Sequence, residues 1–110
     1  MNLNQVKKGG QMKPPRVLVY GPAGVGKTTF AAGARNPICI PIEDGLGKID
    51  IDAFPTPGAY TDVRAALDAL VNEEHQYKTV IVDSLDWLEP MVWQHTCEKN
   101  NWSSIEQPGF

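Results

Sequence analysis

The sequence predicts an α/β fold in which helices flank a mainly parallel sheet, and three observations carry that prediction. Apolar runs of strand type alternate with stretches of helical period, in the order β-α-β-α-β-α, along 110 residues. The first strand-to-helix junction is a glycine-rich loop, Gly21-Pro22-Ala23-Gly24-Val25-Gly26-Lys27-Thr28. Two later apolar runs end in carboxylates, Glu43 and Asp83, at the C-terminal sheet edge where α/β folds bind ligands.

Taken in order, residues 1–15 read as a flexible N-terminal arm and residues 16–110 as one domain. The arm gathers basic residues at Lys7, Lys8 and Lys13, beside Gly9-Gly10 and Pro14-Pro15. Arg16-Val17-Leu18-Val19-Tyr20 is β-branched and aromatic, and predicts a buried strand ending at Gly21. Lys27–Ala34 predicts a short helix that Asn36-Pro37 stops. Ile38–Ile42 has strand character, and Pro41, which lacks an N–H, places itself on an edge or at a strand end.

The stretch from Ile49 to Tyr60 holds two prolines and a glycine, and reads mostly as loop. Thr61 is a candidate cap for the next helix, where Val63, Ala66, Leu67, Leu70 and Val71 recur at helical spacing until Glu73-Glu74-His75-Gln76. Lys78–Asp83 is apolar on both faces, the pattern of a central strand. A last helix runs to Asn100 from Asp86 or, because proline suits a first turn, from Glu89-Pro90. Trp87 and Trp93 are expected on faces buried against the sheet.

Composition narrows the function. Hydrophobic residues make up 42% and charged residues 21%, ordinary globular values, and the net charge of −3 excludes a protein that coats nucleic acid. Cys39 and Cys97 match no metal spacing and read as reduced thiols of a cytosolic protein. Met1–Arg16 lacks the apolar run of a signal peptide, and no run approaches the length of a membrane span. His75 and His95 have no ligand partners at useful spacing.

The glycine-rich loop is the Walker A arrangement, Gly-x-x-x-x-Gly-Lys-Thr between a strand and a helix. Chance matching of its four fixed positions in a chain this short is on the order of a few per thousand. Gly21, Gly24 and Gly26 permit backbone conformations that turn successive N–H groups inward as an anion nest, with the helix dipole behind it. Pro22, Ala23, Val25 and Thr29 complete the predicted phosphate cradle. Lys27 reaches the β- and γ-phosphates and absorbs charge in the transition state, and the Thr28 hydroxyl ligates Mg²⁺. The expected ligands are therefore ATP and Mg²⁺.

Such a loop leaves the metal half held. Val80-Ile81-Val82-Asp83 supplies the complementary acid, the Walker B element, with Ser84 able to bond the same shell. The general base is assigned to Glu43, at the end of the second strand, where a carboxylate can orient the attacking water. Asp44 competes for that role and Glu89 is a weaker alternative.

Together these elements resemble the RecA-like ATPases of the P-loop NTPase class. In that family a strand ending in a catalytic glutamate follows the Walker A helix, and a Val-Ile-Val-Asp-Ser strand carries the metal aspartate. The closer likeness is to small phage-encoded ATP-binding proteins of the RecA-like/AAA type, linked to recombination and single-strand annealing. It is carried by Gly21–Thr29, Ile42-Glu43-Asp44-Gly45-Leu46 and Asp83-Ser84-Leu85-Asp86-Trp87-Leu88-Glu89-Pro90. The resemblance implies two further strands after the Walker B strand, one of them between the Walker A and Walker B strands. The chain is accordingly expected to be the N-terminal half of a longer, RecA-like protein, with the C-terminal strands missing and a tendency to form homo-oligomers.

What the resemblance implies for function is a Mg-dependent ATPase of a phage or bacterial DNA recombination system, in the bacterial host cytoplasm. Single-stranded DNA and other recombination proteins are its expected partners. The loop Asn100–Ser104 stands at the family's first DNA loop, and Trp102 could stack on a base there. Turnover is expected to be weak, because Arg16, Arg35 and Arg64 offer no arginine finger. The alternatives are a nucleotide-binding module without hydrolysis and, with less support because no arginine cluster forms a lid, a small-molecule kinase.

Overall fold

Strand β1 (Pro37–Pro41) organises the sheet, because it pairs in parallel on both sides, with β2 (Asp52–Ala53) and β3 (Thr79–Asp83). The computed structural model describes residues 1–6, 9–10, 13–22, 24–43 and 49–106. Three helices accompany the sheet: α1 (Lys27–Ala32), α2 (Tyr60–Asn72) and α3 (Leu85–Asn100). The result is a three-stranded, wholly parallel sheet of order β2-β1-β3 with helices packed on it, in agreement with the α/β fold class.

Register explains the core. Ile40 pairs with Val82, and Ile40 and Ile42 meet Val63 and Ala66 of α2 on one face. Phe54, Leu88 and Met91 close the same cluster. Burying each of the Ile40, Ile42 and Val63 side chains stabilises the fold by ~1.5–3 kcal/mol. On the opposite face Cys39 pairs with Ile81, and both are buried. Side chains alternate across a strand with period two, so β1 needs apolar residues on both faces.

The predicted strand Arg16–Tyr20 does not join this sheet. Residues 13–20 carry no regular structure, and Leu18 and Tyr20 are 67% and 87% exposed. The reason lies in the pairing: β3 bonds only β1, and among the described residues nothing occupies its outer edge. An apolar segment with strand propensity forms no strand without a ladder partner. For the same reason β3, expected to be central, is an edge strand here, with Val80 exposed. β1, for which Pro41 allowed an edge, is central, and Pro41 stands at its end.

Other expectations shift at element ends. α1 stops at Ala32, two residues early, because the Gly33 N–H turns back to Phe30 and Ala31 carbonyls. The loop after residue 48 contributes a two-residue strand, β2, that sequence patterning missed; it is too short to show a period. Thr61 does not cap α2. The N-cap is Ala59, and Asp62 accepts from the Gly58 N–H at 2.9 Å across the helix start. At the other end His75 Nδ1 accepts from the Tyr77 N–H at 3.0 Å, which leaves its Nε2 to donate to the Leu70 carbonyl at 2.7 Å. Tyr77 in turn donates to Asp52 at 2.6 Å, and that hydrogen bond pushes the phenol pKa up.

α3 starts at Leu85 and carries Pro90 inside it, so the start at Glu89-Pro90 is corrected. One turn-closing N–H is lost at Pro90, and packing of the face Leu88, Met91 and His95 offsets it, with His95 lying 4.8 Å from the Tyr60 ring. Those residues lie at helical spacing; Trp87 and Trp93 fall off that stripe and are exposed, contrary to expectation. The tail beyond 106 and the arm lysines Lys7 and Lys8 lie outside the described residues.

Candidate functional site

β1 and β3 end in register, Pro41 opposite Asp83, so the residues that follow emerge side by side at one sheet edge. The Asp83 carbonyl accepts from both the Ile42 N–H, at 2.8 Å, and the Glu43 N–H, at 2.9 Å. Those two bonds extend the ladder past the proline and fix the root of Glu43 against the end of β3. The Ser84 hydroxyl then donates to Glu43 Oε2 at 3.1 Å. The Asp83–Ser84 peptide is cis.

The glycine-rich loop reaches the same place from the other side of the sequence. Gly24 and Gly26 take left-handed φ values of 80° and 96°, which side-chain-bearing residues rarely adopt. Gly26 is the N-cap of α1, and from the first turn Thr28 donates its hydroxyl to Asp83 Oδ2 at 2.9 Å, half-buried. That contact joins residues 55 apart in the chain. The Lys27 ammonium folds over the loop, donating to the Gly21 carbonyl and, at 3.0 Å, to the Pro22 carbonyl. Around Gly24 and Gly26 there is open space, since a Cβ at either would meet no atom within 4 Å.

The structure therefore brings together Lys27, Thr28, Asp83, Glu43 and Ser84. Gly21, Pro22, Gly24, Val25 and Gly26 form the loop itself, and Thr29 is exposed on α1. Ala23 and the competing base Asp44 lie outside the described residues. Glu89 is exposed on α3. Behind the site, burial first and the Asp83 charge second push the Cys39 thiol up to about 11. No cluster of three metal-binding His, Cys, Asp or Glu side chains occurs among the described residues. A hydroxyl plus one carboxylate is an all-oxygen donor pair, which suits a Mg²⁺ ion that completes its shell with water and phosphate.

Ser84 is the residue whose partner sequence reasoning missed. Sequence reasoning allows it to bond the metal's shell, and in this structure its hydroxyl donates to Glu43 Oε2. Only the register Pro41–Asp83 reveals this, and register is not printed in either strand alone.

A family model described as an AAA domain matches residues 13–109. The chain belongs to the AAA-domain family. Nucleotide binding follows from that membership. The AAA domain is also 25% identical, over 87 residues, to the SPbeta prophage-derived uncharacterized protein YorG of Bacillus subtilis (strain 168). The match covers 76% of this chain and 27% of that relative, so the AAA domain spans about a quarter of the relative's length. No solved structure matches it. Among the described residues no helix is long and apolar enough to cross a membrane.

Proposed function

We propose that this AAA domain binds ATP with Mg²⁺ and hydrolyses it slowly. The observation that carries the reading is the Thr28–Asp83 hydrogen bond of 2.9 Å beside Lys27. It joins a phosphate-loop hydroxyl to a strand-end carboxylate at the open side of a loop with two left-handed glycines. In this reading Thr28 and Asp83 would hold the metal. The loop amides and Lys27 bind the β- and γ-phosphates. Glu43 orients the attacking water and accepts its proton as the γ-phosphorus–oxygen bond to the leaving ADP breaks. Mg²⁺, when bound, neutralises developing negative charge.

Titration calorimetry tests it. Wild-type chain is expected to take up Mg·ATP and Mg·ADP, with Lys27→Ala and Thr28→Ala each weakening uptake by about tenfold or more, in line with lost charge-assisted bonds. Chelating the metal with EDTA is expected to weaken ATP uptake in wild type and to change little in Thr28→Ala. Equal uptake by wild type and both variants would sink the reading.

A binding module without turnover is the second reading. It is favoured by Ser84, which stands directly after Asp83 where many ATPases carry a glutamate. Single-turnover hydrolysis by wild type and Glu43→Gln separates the two readings. The wider setting we infer is a phage or bacterial DNA recombination or annealing system. Its support is the resemblance to recombination-associated phage proteins and the prophage origin of the relative.

A further inference from the structure

Ser84 occupies the N-cap position of α3, yet its side chain makes no capping bond. A serine at that position ordinarily spends its hydroxyl on an N–H of the first helical turn. Here the hydroxyl is turned away from the helix and given to Glu43 Oε2 at 3.1 Å. Glu43 is thereby held at both ends by two consecutive residues. Its N–H is bonded to the Asp83 carbonyl at 2.9 Å, and its carboxylate to Ser84.

Glu43 is otherwise exposed, on a side chain with three rotatable bonds. A carboxylate that must present one oxygen to a water is effective only in a fraction of its rotamers. Occupying Oε2 with a donor from β3's end leaves Oε1 to accept the proton. We propose that Ser84 is a positioning residue that holds the Glu43 carboxylate in the orientation used on the attacking water. This rests on the reading of Glu43 as the group that orients that water. It assigns Ser84 to the base and not to the metal.

The test compares single-turnover hydrolysis of Mg·ATP, Mg·ADP affinity and thermal unfolding in six forms of the chain: wild type, Lys27→Ala, Ser84→Ala, Ser84→Thr, Glu43→Gln and the double variant Glu43→Gln/Ser84→Ala. Ser84→Ala is expected to slow hydrolysis about tenfold, as displaced catalytic groups do. Mg·ADP affinity and melting temperature should stay within error. Ser84→Thr, which keeps the hydroxyl, should recover the rate to within about threefold. In the Glu43→Gln background, Ser84→Ala should cost nothing more, since the two act as a unit.

Wild-type hydrolysis by Ser84→Ala would overturn the proposal, as would a slowing that simply adds to that of Glu43→Gln. A loss of Mg·ADP affinity in step with the rate would also overturn it, by returning the hydroxyl to the metal's shell. If Glu43→Gln hydrolyses like wild type, it is the underlying assignment of the base that fails, whatever Ser84 does. Absence of Lys27-dependent hydrolysis in wild type removes both.

Discussion

Cys39 sits at the middle of β1 with none of its surface exposed, paired with Ile81 and near enough to Asp83 to feel its charge. Burial is the larger influence and the carboxylate the smaller, and both disfavour a thiolate, so the thiol is raised from 9.0 to about 11. Because the folded value lies above the unfolded one, the stability tied to a neutral thiol is fully present below pH 9 and is lost as pH rises through about 11. Two pH units correspond to about 2–3 kcal/mol. Urea unfolding at pH 8 and near pH 11 should show a loss of this order in wild type that is absent in Cys39→Val. An identical pH dependence in the two would refute the assignment. The same burial predicts that a thiol reagent at pH 8 labels half-buried Cys97 well before Cys39. The contrast with Glu43 is instructive, since both stand on β1 or just beyond it. One is enclosed and inert; the other, two residues past Pro41, is exposed and oriented by a single hydroxyl.

The phosphate loop and its helix form the element on which the proposed chemistry depends, and Gly26, the N-cap of α1, joins them. Its φ of 96° is strained for any side chain, although a Cβ there would meet open space. Gly26→Ala should therefore destabilise by ~1–2 kcal/mol through backbone strain and not through collision. Displacing the start of α1 moves Thr28, so Mg·ADP affinity should fall severalfold; unchanged affinity with unchanged stability would refute this placement. That loop was legible in the sequence because its chemistry is local: glycines, lysine and threonine at fixed offsets. Glu43 and Asp83 were legible as ends of apolar runs, and α2 as a 3.6-residue period in Val63, Ala66 and Leu70. What sequence left unread depends on neighbours. The segment 16–20 has strand propensity and no partner, Pro90 is tolerated inside α3 by packing, and Trp87 and Trp93 lie beside the buried stripe and not on it. Ser84 belongs to the same class, for its partner is set by the register of β1 against β3, in which Pro37 pairs with Thr79, 42 residues further along the chain.

At the scale of the whole chain, the buried apolar set among the described residues is small, centred on Ile38, Cys39, Ile40, Ile42, Val63, Ala66 and Ile81. Around it stand Val17, Leu18, Tyr20, Val80, Trp87 and Trp93, all exposed. Among the described residues no strand pairs with the outer edge of β3, an apolar strand whose backbone is a template for pairing with another strand. Exposed apolar surface of this extent drives association in water. Size-exclusion chromatography with light scattering should therefore show an average mass that rises with concentration between about 5 and 200 µM, the range where weak interfaces respond. Lysine on an exposed strand is a residue type that blocks edge pairing. Val80→Lys should therefore shift the chain toward monomer, and Leu18→Lys should do so by removing apolar surface. Neither residue is among those assigned to the site, so Mg·ADP uptake should survive both changes. A wild-type chain that stays monomeric throughout, and that binds no apolar dye, would mean that these side chains are covered in solution and that the edge of β3 is not open.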